Sequence, residues 1–183
     1  NLDLEIKREG AIFFQKYETG IPASEFKQIG KSDKTGTKVT FWPDDEIFET
    51  TEYDYGILSK RLRELAFLNR GITIALTDER SDKSDVFCYE GGIVEYVDYL
   101  CGAKQKAHEK PIYFAAKKED TEIEIAFQYV NSYNENLLSF VNNINTIEGG
   151  THLTGFKGAI TRTINNYAQE YNLNKDFKGT FSG

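Results

Sequence analysis

Residues 144–171 read "INTIEGGTHLTGFKGAITRTINNYAQEY", two adjacent glycines and a histidine followed by a lysine and an arginine within an apolar pattern. These residue types could cradle a phosphate, hold a metal or aim a helix. Gly150 and Gly155 have the spacing of a phosphate-binding loop. Phe156, however, stands where the lysine must be, and no Ser or Thr follows Lys157. A lysine displaced in this way cannot reach the phosphates from the loop. What survives is a strand-to-helix turn, with Gly149 and Gly150 supplying free φ. His152 and His108 are the only histidines, and neither has a Cys or His at ligand spacing. His152 therefore reads as structural. The acidic runs "DER" (78–80) and "EDTEIE" (119–124) fall at a strand end and on a solvated strand face, poor places for paired-carboxylate chemistry. No Ser/His/Asp pattern appears. By its own chemistry the chain contains no complete active site.

The elements that must carry these residues follow from periodicity. "LDLEIKR" alternates, with Leu2, Leu4 and Ile6 on one side, and "EG" at 9–10 turns it into "AIFFQKY", a hairpin. "GTKVTF" alternates through Val39 and Phe41 until Pro43 stops it. Residues 1–43 thus read as three strands with no helix to cover them, an incomplete domain. From 44 onward helices join the pattern. "YGILSKRLRELAFLNR" places Ile57, Leu58, Leu62, Leu65, Ala66 and Leu68 on one stripe. "GITIALTDER" and "SDVFCYEGG" pair as strands, "GIVEYVDYL" is a short helix, and "PIYFAAK" and "TEIEIAFQYV" are strands. "ENLLSFVNNINT" is expected to continue the sheet. A long helix is expected over about 152–171, with Thr151 as N-cap and a polar, frayed tail. On that helix Leu153, Phe156, Ile160, Ile164, Tyr167 and Tyr171 share an arc. Lys157 sits at its edge, able to snorkel outward, and Arg162 lies opposite. The second part is α+β, a sheet of about four or five strands with helices on it.

Composition bounds the rest. The chain has 183 residues, 39% hydrophobic and 28% charged, in the range of ordinary folded domains. Its net charge of −7 makes the surface as a whole no trap for nucleic acid, so any DNA contact must come from a local basic cluster. Cys88 and Cys101 form neither a disulfide framework nor a CxxC site and are expected to be free thiols in a reducing cytosol. No apolar run approaches a membrane span and no signal peptide is visible. With no Met, even at position 1, the chain is expected to be a piece of something longer.

Five segments together resemble the ATPase subunit of the bacterial type IIA topoisomerases, the gyrase B family. They are "KTGTKVTFWPDDEIF" (34–48), "LSKRLRELAFLN" (58–69), "LTDER" (76–80), "DVFCYEGGIVEYVDYL" (85–100) and "SFVNNINTIEGGTHLTGFKGAITRTINNYA" (139–168). "GGTHLTGFK" is more similar to gyrase B than to its topoisomerase IV counterpart, which stays as the alternative.

The resemblance implies residues 1–49 as C-terminal strands of a GHKL (Bergerat) ATPase sheet. It implies residues 50–183 as a transducer domain of ribosomal-protein-S5-domain-2-like fold. By the same match Thr37 helps hold adenine through an ordered water and Val39 lines the adenine pocket. Lys157, and with it Arg162, faces a cavity through which DNA passes. The implied cofactors are ATP and Mg2+. The implied partners are DNA, the gyrase A subunit in an A2B2 assembly and a second ATPase subunit, in the cytoplasm. The Mg2+-binding asparagine, the water-activating glutamate and the ATP lid are implied upstream of Asn1, and a lysine that reaches the γ-phosphate downstream of Gly183. The implied enzyme is an ATP-hydrolysing isomerase of which this stretch alone holds no catalytic residue. The alternative for the stretch in isolation is a non-catalytic structural or DNA-cavity module.

Overall fold

The computed structural model describes residues 1–173 and 179–181, which divide into two compact units, Asn1–Tyr55 and Gly56–Gly183. In the first, Glu9 and Gly10 have φ of 54° and 79°, the left-handed pair that a two-residue hairpin turn requires. They join β1 (Leu2–Arg8) to β2 (Ala11–Glu18) in the expected register, Leu2 opposite Tyr17 and Arg8 opposite Ala11. Thr19 and Gly20 repeat the device and start a return along β2 as β3 (Ile21–Pro22) and β4 (Lys27–Lys31). β5 (Gly36–Phe41) then pairs with the free side of β1, giving the order β3-β2-β1-β5 with β4 also on β2. At the far end Asn1 and Trp42 exchange backbone hydrogen bonds of 3.3 and 3.0 Å.

The sheet therefore has five strands where three were expected. The two extra strands escape period-2 reading because β4 pairs irregularly. Its register shifts between Ile12 and Phe13, with Gly30 opposite Ile12. Directly opposed residues of an antiparallel pair share a face. One face thus carries Leu2, Leu4 and Ile6 of β1 with Val39 and Phe41 of β5. Val39 is 52% and Phe41 54% exposed, so this apolar face is incompletely covered.

The second unit runs α1 (Tyr55–Leu68), β6 (Ile74–Asp78), β7 (Lys83–Phe87), α2 (Ile93–Cys101), β8 (Ile112–Lys118), β9 (Thr121–Phe127), β10 (Phe140–Val141), β11 (Ile144–Asn145) and α3 (Thr151–Glu170). The expected continuous sheet is instead three separate antiparallel ribbons, β6-β7, β8-β9 and β10-β11. "SFVNNINT" does not extend the β8-β9 ribbon. Asn142 and Asn143, at φ 49° and 64°, fold it into its own hairpin. The tip of that hairpin docks on α1. Asn143 Nδ2 donates to Asn69 Oδ1 at 2.9 Å, and Arg61 Nη2 donates to the Asn143 carbonyl at 3.0 Å.

The core centres on Phe67, 1% exposed. Its ring stacks on Tyr89 and Tyr96 at centroid distances of 3.6 and 4.7 Å, with Tyr99 tilted at 5.4 Å. The buried positions of α1 are Ser59, Glu64, Ala66 and Phe67, while Ile57 of the expected stripe is exposed. The buried face is rotated toward Phe67 because the rings it meets come from residues 89–99.

α3 ends with Asn172 at φ 53° and a Leu173 N–H donating to the Ala168 carbonyl at 2.8 Å, a left-handed cap that closes the last turn. Of the expected frayed tail, residues 174–178 and 182–183 lie outside the described residues. Asn165 holds Phe181 by both backbone polar groups, Nδ2 donating to its carbonyl at 2.9 Å and Oδ1 accepting its N–H at 2.8 Å.

Candidate functional site

Among the described residues β5 pairs with β1 alone, so it is an edge strand there, and its alternation decides what it presents. Thr37 lies opposite Ile6 and Val39 opposite Leu4, on the incompletely covered face. A hydroxyl beside an isopropyl group, on a surface otherwise built from Leu, Ile and Phe, offers a hydrogen bond and an apolar wall side by side. That combination matches the edge and face of a flat, partly polar ring. Thr37 and Val39 are thus brought together on one face. Phe41, which continues this face as its alternation with Val39 suggested, edges onto Tyr53 at 6.2 Å.

The second feature is the turn into α3. Gly149 has φ 78° and its N–H donates to the Thr146 carbonyl at 2.8 Å. Gly150 has φ 155°, and a Cβ there would lie 2.8 Å from the His152 ring. Both glycines are therefore required by the turn, as the residues suggested. Thr151 is not the N-cap. It is the first helical residue, and Gly150 precedes it without a side-chain cap. His152 Nε2 lies 3.2 Å from Thr146 Oγ1, which is 2.6 Å from Ser139 Oγ, so the imidazole ties the start of α3 to the β10-β11 hairpin. His108 is also used structurally. The Tyr129 N–H donates to its Nε2 at 3.0 Å and its Nδ1 sits 2.7 Å from the Lys110 carbonyl, which assigns the Nδ1–H tautomer. In the "LTDER" turn, Asp78 accepts hydrogen bonds from the Arg80 side chain and backbone N–H. These hold its carboxyl well below the usual range. This carboxylate ties a turn, bonded to Arg80 and Ser81.

Lys157 and Arg162 are both exposed on α3, but they are not brought together. Five residues of helix separate them by about 140° of rotation. Lys157 Nζ meets Glu135 Oε1 at 3.1 Å. Nothing in the sequence signals this partner, which stands 22 residues earlier in the irregular stretch between β9 and β10. That stretch also walls a cleft of about 400 Å³ lined by Val97, Leu100, Phe127, Phe156 and Ile160. Gln128 Oε1, buried beside the cleft, has no hydrogen-bond partner among the described residues. No group of three or more His, Cys, Asp or Glu among the described residues could hold a metal ion. No helix among them is long and apolar enough to cross a membrane.

The family model for DNA gyrase B matches residues 92–183. The DNA gyrase B of Clostridium acetobutylicum is 54% identical over 182 residues, which is 99% of this chain and 29% of that protein. The DNA gyrase B of Halalkalibacterium halodurans is 48% identical over 184 residues, 100% of this chain and 29% of that protein. Among solved structures, the 43K ATPase domain of Thermus thermophilus gyrase B, in complex with an aminocoumarin, superposes with a TM-score of 0.81. It is 35% identical, covering 97% of this chain and 49% of that one. The chain thus spans about 29% of the length of these curated relatives.

Proposed function

The chain belongs to the DNA gyrase B family, and from that premise we propose that it forms part of the ATPase subunit of a DNA gyrase. In this reading the whole protein is a type II topoisomerase that couples ATP binding and hydrolysis to DNA strand passage and negative supercoiling. Its partners are DNA, a gyrase A subunit in an A2B2 assembly and a second copy of the ATPase subunit, in the cytoplasm. The observation that carries it is the likeness to gyrase B across 99% of the chain, which includes both units. The same likeness favours gyrase over the topoisomerase IV alternative.

Residues 1–49 then supply the last strands of the GHKL ATPase domain and residues 50–183 the transducer. Thr37 supplies a hydroxyl for the polar edge of adenine and Val39 an apolar surface for its face. When bound, ATP with Mg2+ supplies the phosphoanhydride whose hydrolysis drives the cycle. The described residues offer no cluster that would hold the Mg2+. Lys157 contacts DNA phosphate without reading bases, as a machine that passes any duplex needs. Arg162, round the helix from it, takes a second backbone contact. Nucleotide state reaches the DNA side only through contacts that differ between two arrangements of the subunit.

Calorimetric titration with a non-hydrolysable ATP analogue and Mg2+ tests the division of labour. The 183-residue chain is expected to show no detectable binding. In the full-length subunit Thr37→Ala is expected to raise KM for ATP by about tenfold, the loss of one buried hydrogen bond, with supercoiling impaired accordingly. Micromolar binding by the short chain, or an unchanged KM in Thr37→Ala, overturns the assignment.

A further inference from the structure

We infer that Glu135 is an intramolecular competitor for the anion site at Lys157, occupying the ammonium in the position a DNA phosphate oxygen takes. This rests on the assignment of Lys157 to DNA given above. The stretch from Gln128 to Ser139 is irregular, and its hydrogen bonds are concentrated at its two ends. At the start, the Ala107 N–H donates to the Tyr129 carbonyl and the Asn131 N–H to the Gln105 carbonyl, both at 2.8 Å. At the other end, Ser139 accepts the Thr146 N–H at 2.8 Å and pairs with its hydroxyl. Between these anchors the segment passes over the cleft in front of α3, and Glu135 reaches Lys157 Nζ at 3.1 Å.

Both partners are solvent-exposed, Glu135 at 68% and Lys157 at 47% of the side chain. In such a setting an ion pair is weak enough to exchange, whereas a duplex offers a phosphate on a polyanion at much higher local charge density. A carboxylate at 3.1 Å also shows that the ammonium can be approached by an oxyanion without rearrangement of α3. Arg162 has no ion pair among the described residues, so the device is specific to Lys157. Glu135 thus lowers non-specific duplex affinity at rest and yields when a duplex is pressed into place.

The test is a double-mutant cycle in the full-length subunit, titrated with a short linear duplex of mixed sequence at several salt concentrations. Lys157→Ala is expected to weaken binding and to reduce the salt slope by about one. Glu135→Gln is expected to tighten binding about two- to fivefold at low salt, the range of an exposed ion pair. That gain is expected to disappear when Lys157→Ala is already present. If Glu135→Gln brings no gain, or its full gain persists without Lys157, the competitor role is overturned while the DNA role of Lys157 stands. If Lys157→Ala leaves affinity and salt slope unchanged, the DNA role itself fails and this inference with it. Both side chains are exposed, so neither variant should disturb folding.

Discussion

Phe67 shows how much of the second unit hangs on one side chain. Its ring is shut away from solvent by Tyr89, Tyr96 and Tyr99, and Arg63 adds to the cluster. Arg63 lies over the Phe87 ring at 5.2 Å and donates to Tyr99 Oη at 2.7 Å. Burial pushes the Tyr96 phenol up from its ordinary value, as expected of a hydroxyl drawn into this core. Truncating the central ring removes both transfer energy and stacking partners. Phe67→Ala is expected to destabilise the second unit by about 3–5 kcal/mol, read as a lowered midpoint in urea with near-UV ellipticity. At this scale the sequence is an uneven guide. Alternation places Val39 and Phe41 on one strand face, as their pairing with Leu4 and Leu2 bears out. The periodic stripe on α1, however, runs through Ile57 and omits Phe67, because a helix's buried side is chosen by the rings brought to it from residues 89–99. Glu135 is invisible for a similar reason, since an ion pair across 22 residues has no local period.

Among the elements, the turns are the most legible. Glu9–Gly10 reads as a hairpin from its residue types, and the double glycine at 149–150 as the entry to a helix. In both, the backbone geometry needed is one few residues adopt. The Asn142–Asn143 turn uses the same chemistry, yet the strands it joins have two residues each, too few to show alternation. β3 and β4 are lost to shortness and to an irregular register. Gly150 offers the sharpest test at this scale. Gly150→Ala is expected to cost about 1–3 kcal/mol, the strain of a side chain in this sparsely populated backbone region, and to displace the His152 ring from Thr146. His152→Ala removes the ring contact without the strain and should cost less. If the two variants lose equal stability in chemical denaturation, the requirement lies with the imidazole contact and not with the backbone.

The two units of the molecule differ in how completely each buries its apolar surface. The second encloses Ala66, Phe67, Phe87, Cys101 and Ala168, whereas Ala11 is the one buried apolar residue of the first. The five-stranded sheet keeps Val39, Phe41 and Trp42 more than half exposed. Hydrophobic stabilisation scales with the apolar area removed from water, so residues 1–55 are expected to unfold at lower denaturant than the rest. An N-terminal unit that outlasts the C-terminal one in urea would contradict this.

Trp42 makes that comparison accessible to light. The chain has a single tryptophan, and it sits beside Asn1 at the edge of the N-terminal sheet. The stacked tyrosines lie in the other unit. Emission excited at the red edge therefore reports on the sheet alone, and the tyrosine bands of circular dichroism report chiefly on the stack around Phe67. By the alternation of β5, Trp42 falls on the face opposite Val39, with Asp3 and Lys16, so its emission follows the opening of the sheet itself and is blind to what covers the Val39 face.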